Sequence, residues 1–364
     1  MPRIIALQAC RHGTGCSHLA ANLAVLLMQA GHRVGLLDTD PRGGGIRTLF
    51  AVDAPEPADL NTYWWFQMPA ASATAPLDKQ LYRYRGDRPT TPSGIYLPPA
   101  GGQLGLQSGQ AIALKAYYDS SNVGDMVHHL SRDLHLSYII LDIQPEMTDD
   151  ALMGLALADT TLLLMQLDTY DFQRAAVVIE VMQKLGTRKI WLVPSQVLPV
   201  LTAEAVQEKL ETTYNRPVAG VLPLSEEMVR LASQGIFCLQ HPDHVLSDAM
   251  RAIATQTILD TPTATRAASS SNGKWFQSRQ RSLFALLEFP TLERHILTTV
   301  LRQGSVTLAE LMQHHDEPAD AIAAAIQQLF QQGWLTRDPD SDGLRFRDAN
   351  ASANPSPQRE SPGD

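Results

Sequence analysis

The chain has 364 residues, 44% hydrophobic and 18% charged, which is enough for two domains with a sizeable core. Its net charge of −9 argues against non-specific nucleic-acid binding, which needs clustered Lys and Arg. Three cysteines (Cys10, Cys16, Cys238) give neither a disulfide framework nor paired metal spacing and fit a reducing, cytoplasmic setting. No stretch reaches the roughly 18–20 apolar residues of a membrane span, and the N-terminal apolar run is too short for a signal peptide.

In chain order, residues 4–9 read as a buried strand and 17–30 as an amphipathic helix. Strands follow at 33–37, 138–143, 160–166, 189–193 and 218–222. Helical patterns at 172–185, 203–213 and 226–234 lie between the last of them, and 245–259 reads as a closing helix. Apolar strands alternating with helices predict an α/β fold, a doubly wound and mostly parallel sheet covered on both faces. This first domain spans 1–260. Residues 54–88, with Trp64-Trp65, read as an irregular insertion within it.

Residues 261–273 have linker composition. The following unit, 274–348, begins with a helix at 292–303. A capping box at Thr307 and Glu310 opens a short helix, and Pro318 stands near the start of a third that ends near Gly333. Residues 334–338 and 344–347 flank a turn and read as a hairpin. Three helices then a hairpin is the winged-helix order, a small α+β domain. The tail, 349–364, is rich in Pro and Ser and reads as disordered.

The segment with the most chemical content joins the first strand to the first helix: Cys10, Arg11, His12, Gly13, Thr14, Gly15, Cys16, Ser17, His18. A glycine loop ending in a helix places backbone N–H groups around an anion. Ser17 is placed to offer a hydroxyl to Mg²⁺. Downstream come Asn22, the turn from Gly31, then Asp38-Thr39-Asp40-Pro41-Arg42-Gly43, the acidic strand ending in Asp142, Ala158-Asp159, Gly220-Val221-Leu222-Pro223 and Gln234-Gly235. In this order the residues resemble the ParA/MinD superfamily of P-loop ATPases, whose loop reads KGGVGKTT and whose second strand ends in DxDPQG.

The resemblance implies an ATP-dependent sandwich homodimer that positions or partitions cargo. It implies that Ser17 and, through water, Asp142 hold Mg²⁺ with Asp38 nearby, and that Asp40 orients the attacking water. Adenine contacts fall to Pro194-Ser195 and Pro223-Leu224. The loop departs from the family, however. Its phosphate-gripping lysine falls at Cys16, its signature lysine at Arg11, one glycine at His12 and the last threonine at His18. Cysteine cannot neutralise phosphate charge, so binding of ATP with Mg²⁺ is expected while hydrolysis is weak or lost. Cellulose-secretion members of the superfamily share this arginine-for-lysine pattern.

Three functions follow as expectations. The first is a nucleotide-gated dimeric switch or scaffold; the second a working partition ATPase in which Arg11 replaces the lysine; the third a DNA-binding regulator. Residues 303–336 contain no Lys or Arg, which favours a protein partner over DNA for the C-terminal unit. Cys16 poses a further choice: a thiolate with depressed pKa at a helix N-terminus, or a small side chain filling the lysine's place.

Overall fold

The computed structural model describes residues 2–39, 45–51, 82–84, 93–97, 127, 134–259, 286–287, 289–303, 305–314, 317–337 and 343–346. Asp40, Trp64-Trp65, the linker 261–273 and the tail lie outside the described residues. The chain divides into two compact units, Met1–Ala268 and Ser269–Asp364.

The first unit is built on β1 (Arg3–Ala9), whose seven residues are all buried. Such a run cannot alternate faces, because both faces are covered; it belongs in the middle of a parallel sheet. β1 pairs in parallel with β5 (Tyr138–Ile143) on one side and β6 (Thr160–Met165) on the other. With β2 (Arg33–Asp38), β3 (Tyr82–Tyr84), β4 (Gly94–Leu97) and β7 (Lys189–Pro194), the sheet runs β3-β4-β2-β5-β1-β6-β7. Six strands are parallel and the edge strand β3 pairs antiparallel with β4. The chain leaves β1 toward one side and returns to the other, so a crevice opens beyond its C-terminal end.

The layers over the sheet are α1 (Cys16–Gln29), α2 (Gly45–Leu49), α3 (Asp149–Leu157), α4 (Thr169–Lys184), α5 (Ala203–Tyr214), α6 (Glu226–Leu231), α7 (Phe237–Gln240) and α8 (Val245–Ala254). The core joins Leu19, Leu23 and Leu27 of α1 to Ile5, Leu36 and Ile140 of the sheet and Met250 and Ile253 of α8. Asn22 is fully buried within α1, and its amide oxygen accepts from the Cys238 N–H at 2.8 Å, tying α1 to α7.

Several elements differ from the sequence reading. Residues 218–222 form no named strand, only isolated parallel bridges Leu192–Val218 and Val197–Pro223. Pro217 and Pro223 flank the segment and lack the N–H a ladder requires. Tyr82–Tyr84, inside the stretch read as irregular, is the edge strand, and four-residue β4 carried no readable period. α4 starts three residues early because Asp168 caps it, accepting from the Asp171 N–H at 2.9 Å. α6 stops early because Ala232 and Ser233 turn left-handed, at φ 49° and 59°.

α8 runs into a π-turn, Thr255–Leu259. Its free carbonyls are met by a buried side chain from the other end of the unit. Arg3 donates to Ile258 O at 2.6 Å and Thr257 O at 2.7 Å, and to Thr160 Oγ1 at 3.0 Å. Burial lowers the Arg3 pKa, and these oxygens keep the cation tolerable.

The second unit packs α9 (Thr291–Gln303), α10 (Leu308–His314) and α11 (Ala319–Gln331) around Ile296, Leu297, Leu301, Leu311, Ile322 and Leu329. The Thr307 Oγ1 accepts from Glu310 N at 3.3 Å while Glu310 Oε2 accepts from Thr307 N at 2.8 Å, the reciprocal cap expected from the sequence. β8 (Leu335–Arg337) and β9 (Leu344–Phe346) pair antiparallel, and Val306 bridges to Leu344.

Replacing Arg3 with Met leaves two buried carbonyls and a hydroxyl without their charged donor. We expect Arg3→Met to lower unfolding free energy by about 2–3 kcal/mol in urea denaturation. A change within about 0.5 kcal/mol would show the contact to be idle.

Candidate functional site

The Cys10 N–H still donates to Leu164 O at 3.0 Å and Gly15 O accepts from Leu19 N at 2.9 Å, but between them the loop leaves the ladder, so its backbone groups need side-chain partners. The carbonyls find them behind the loop. Thr14 Oγ1 donates to Arg11 O at 2.8 Å, Ser195 Oγ to Thr14 O at 2.9 Å and Gln196 Nε2 to Gly13 O at 2.6 Å. A trans peptide points its N–H opposite its carbonyl. The N–H groups of His12, Thr14 and Gly15 are thereby turned away from these donors, leaving an N–H-lined concavity. Gly13 (φ 80°) and Gly15 (φ 98°) take the left-handed backbone that this curvature demands. Gly15 caps α1 without a side-chain bond, and the first turn holds no acidic residue, so the positive end of the helix dipole is uncompensated.

Two carboxylates face this cradle from neighbouring strands. Asp38 ends β2 and pairs in register with Asp142 on β5, which is 5% exposed. Thr39 fixes the strand end by donating its N–H (3.0 Å) and its hydroxyl (3.1 Å) to Asp142 O. Ser17 lies in the first turn of α1, its hydroxyl 3.5 Å from where a side chain on Gly45 would begin. A hydroxyl and two carboxylates are hard oxygen donors of the kind Mg²⁺ takes. The residues therefore fit Mg²⁺ beside a phosphate.

Cys16 stands among these acids. Its thiol is pushed well above the usual range by desolvation, then by the charge of Asp142 and a hydrogen bond to it, then by Asp38. Burial first, then the two nearby carboxylates, outweigh the helix-terminus effect, so the shift runs opposite to the depressed pKa considered from the sequence. Cys10 is buried and likewise raised, to about 12.

The cationic side chains are engaged within the chain. The Arg11 guanidinium donates to Gln166 Oε1 and Asp168 Oδ2, with Asp171 Oδ1 at 3.5 Å from Nε. His12 Nε2 is 2.8 Å from Glu146 Oε1. His18 Nε2 meets Ser233 Oγ at 3.1 Å, and burial lowers its pKa, so it brings no charge at neutral pH.

The structure thus gathers Arg11, His12, Gly13, Thr14, Gly15, Cys16, Ser17, Asp38 and Asp142 at one end of β1, while His18 turns toward the segment after α6. Asp40 lies outside the described residues. Ser195, expected near adenine, donates its hydroxyl to the loop at Thr14 O. Gln166, Asp168, Asp171 and Gln196 were not singled out from the sequence. The Asp168 cap, followed three residues later by a second acid, was the available signal.

Comparisons with known proteins agree with the fold of the first unit. The MinD cell division protein of Aquifex aeolicus superposes with a TM-score of 0.54 at 16% identity, covering 72% of this chain and all of that one. MinD of Pyrococcus horikoshii, solved with Mg-ADP, gives 0.53 at 17% identity, over 70% of this chain and 95% of that one. An uncharacterised ATP-binding protein of Methanocaldococcus jannaschii is 22% identical over 257 residues, 70% of this chain and 87% of its own. A 49-residue stretch, 14% of each chain, is 51% identical to the iron-sulfur cluster carrier protein of Aquifex aeolicus. Residues 1–258 match the family described as ParA: NUBPL iron-transfer P-loop NTPase, and the chain belongs to that ParA family of P-loop NTPases.

Proposed function

We propose that this protein is a nucleotide-dependent switch or scaffold that takes ATP with Mg²⁺, pairs with a second copy of itself and localises a partner complex, with little or no hydrolysis. The observation that carries the reading is an intact backbone cradle whose lysine position is Cys16 and whose Arg11 is tied to acids of its own chain.

The loop N–H groups would hold the phosphates, and Ser17 with Asp142 and Asp38 would hold the cation. Bound Mg²⁺ supplies positive charge that offsets the phosphates. Arg11 contributes +1, while Asp38, Asp142, Asp168 and Asp171 contribute four negative charges around it. An anion approaching such a site is repelled unless a cation accompanies it. Asp40, by resemblance, would orient water; without a lysine at position 16 the charge that builds during phosphoryl transfer lacks its preorganised partner.

Relatives support the cofactor assignment. MinD of Pyrococcus horikoshii is known with Mg-ADP and McdA of Cyanothece with ATP. MinD of Aquifex aeolicus is known in complex with MinC, which favours a protein partner here as well. Cluster carriage is disfavoured: the three cysteines have no paired metal spacing, and Cys10 and Cys238 are buried. Among those residues no helix is long and apolar enough to cross a membrane. A cytoplasmic location and a partner held by a winged-helix-like C-terminal unit complete the reading. The exposed face of α11 there presents Ala323, Ala324, Gln327, Gln328 and Gln331, and no cation.

Three measurements follow. Fluorescent ATP should bind the full chain with Mg²⁺ and lose at least about tenfold in affinity with EDTA, while light scattering shows a doubled mass without turnover. Absence of both binding and mass change would leave only the fold. Cys16→Lys restores the missing cation, and ATP turnover should rise on the order of 10²-fold; a flat rate would place the deficit elsewhere. Titration with duplex DNA should show no saturable binding at any salt. Affinity falling steeply with salt would instead assign the C-terminal unit to nucleic acid.

A further inference from the structure

Arg11 is the only arginine or lysine of loop 10–17, and its surroundings form a closed polar ring. Gly13 O accepts from Gln196 Nε2, Gln196 Oε1 accepts from Gln166 Nε2 at 2.8 Å, and Gln166 Oε1 accepts from Arg11. The ring leaves the loop at residue 13 and re-enters it at residue 11, passing through the ends of β6 and β7. On its outer side the guanidinium meets the first turn of α4, at Asp168 and Asp171.

The two acids are fixed independently of Arg11. Asp168 caps α4, and its bond from the Asp171 N–H, with Arg11 next, holds the carboxyl below its ordinary range. Asp171 is fully buried, with Oδ2 accepting from Gln166 N at 2.6 Å. Its Oδ1 has no hydrogen-bond partner among the described residues, only the ion pair with Arg11 Nε. A guanidinium fork accepts carboxylate and phosphate oxygens in the same geometry.

We infer that Asp168 and Asp171 occupy Arg11 in place of phosphate, so that a nucleotide reaches the loop's one strong cation only by displacing carboxylates of its own chain. The contact is autoinhibitory toward ligand and also mechanical. Releasing Arg11 frees Gln166, Gln196 and the Gly13 carbonyl in turn, which couples loop occupancy to the start of α4. Tyr170, half-exposed on that turn with its ring 6.0 Å from the Arg11 guanidinium, would register the release. The inference rests on the nucleotide reading above.

Asp168→Asn separates the contributions, since asparagine keeps the helix cap and removes the charge; Asp168→Ser, which also caps, guards against an effect peculiar to one side chain. Titration of the full chain with fluorescent ATP and Mg²⁺ should show both variants binding about tenfold tighter than wild type. The gain should vanish when Arg11→Gln is added. A parallel double-mutant cycle on urea stability without nucleotide should show Arg11 and Asp168 coupled. Wild-type binding with no gain in either variant overturns the inference and leaves the nucleotide reading intact. A gain that persists with Arg11→Gln also overturns it, because mere removal of negative charge would then suffice. Uncoupled stabilities overturn the contact itself. If no form binds nucleotide, the nucleotide reading fails and the displacement falls with it.

Discussion

A loop that joins a central strand to a helix without entering any ladder must have its carbonyls answered by side chains. Around residues 10–15 that requirement recruits Thr14, Ser195 and Gln196, and through Gln196 the amide of Gln166. The N–H groups left facing outward are the by-product of this arrangement, and they make the anion cradle. The ends of β1, β6 and β7 are therefore held together by the same bonds that shape the site.

Charge sets what the cradle can do. A loop lysine would ordinarily oppose the acids at the ends of β2 and β5. Here Cys16 fills that place with a thiol whose pKa is pushed up by burial and then by Asp142, to which it is hydrogen-bonded. The remaining cation is shared with α4. Geometry and electrostatics thus point in different directions: the backbone accepts phosphate, while the side chains, summed, repel it unless a metal ion intervenes. This division underlies the proposal of a nucleotide switch with little or no hydrolysis.

Much of this was legible in the sequence. The buried strands β1, β2, β5, β6 and β7 follow from unbroken apolar runs, and the loop follows from Gly13 and Gly15 standing before an amphipathic helix. Thr307 and Glu310 announced their reciprocal cap by spacing alone. What escaped was information that sits in pairs far apart along the chain. Nothing in Gln166 or Gln196 taken singly marks them as neighbours, and Asp171 falls just ahead of the helix read at 172–185, with nothing to set it beside Arg11 until the sheet does. Strand β4 is too short for a period, and the prolines at 217 and 223 cut a promising apolar run into isolated bridges.

The bond from Arg3 to the carbonyls of Thr257 and Ile258 has a consequence for the order in which the domain is made. The guanidinium leaves the ribosome well ahead of these acceptors, which are more than two hundred and fifty residues behind it. Until they arrive, the central strand can be sealed at its base only by burying a charge answered in part, by Thr160 Oγ1. The nascent sheet therefore has a built-in reason to stay open, and the π-turn that follows α8 acts as the closing stitch. A chain cut short before that turn would keep every strand and still lack the contact that makes them one cooperative body.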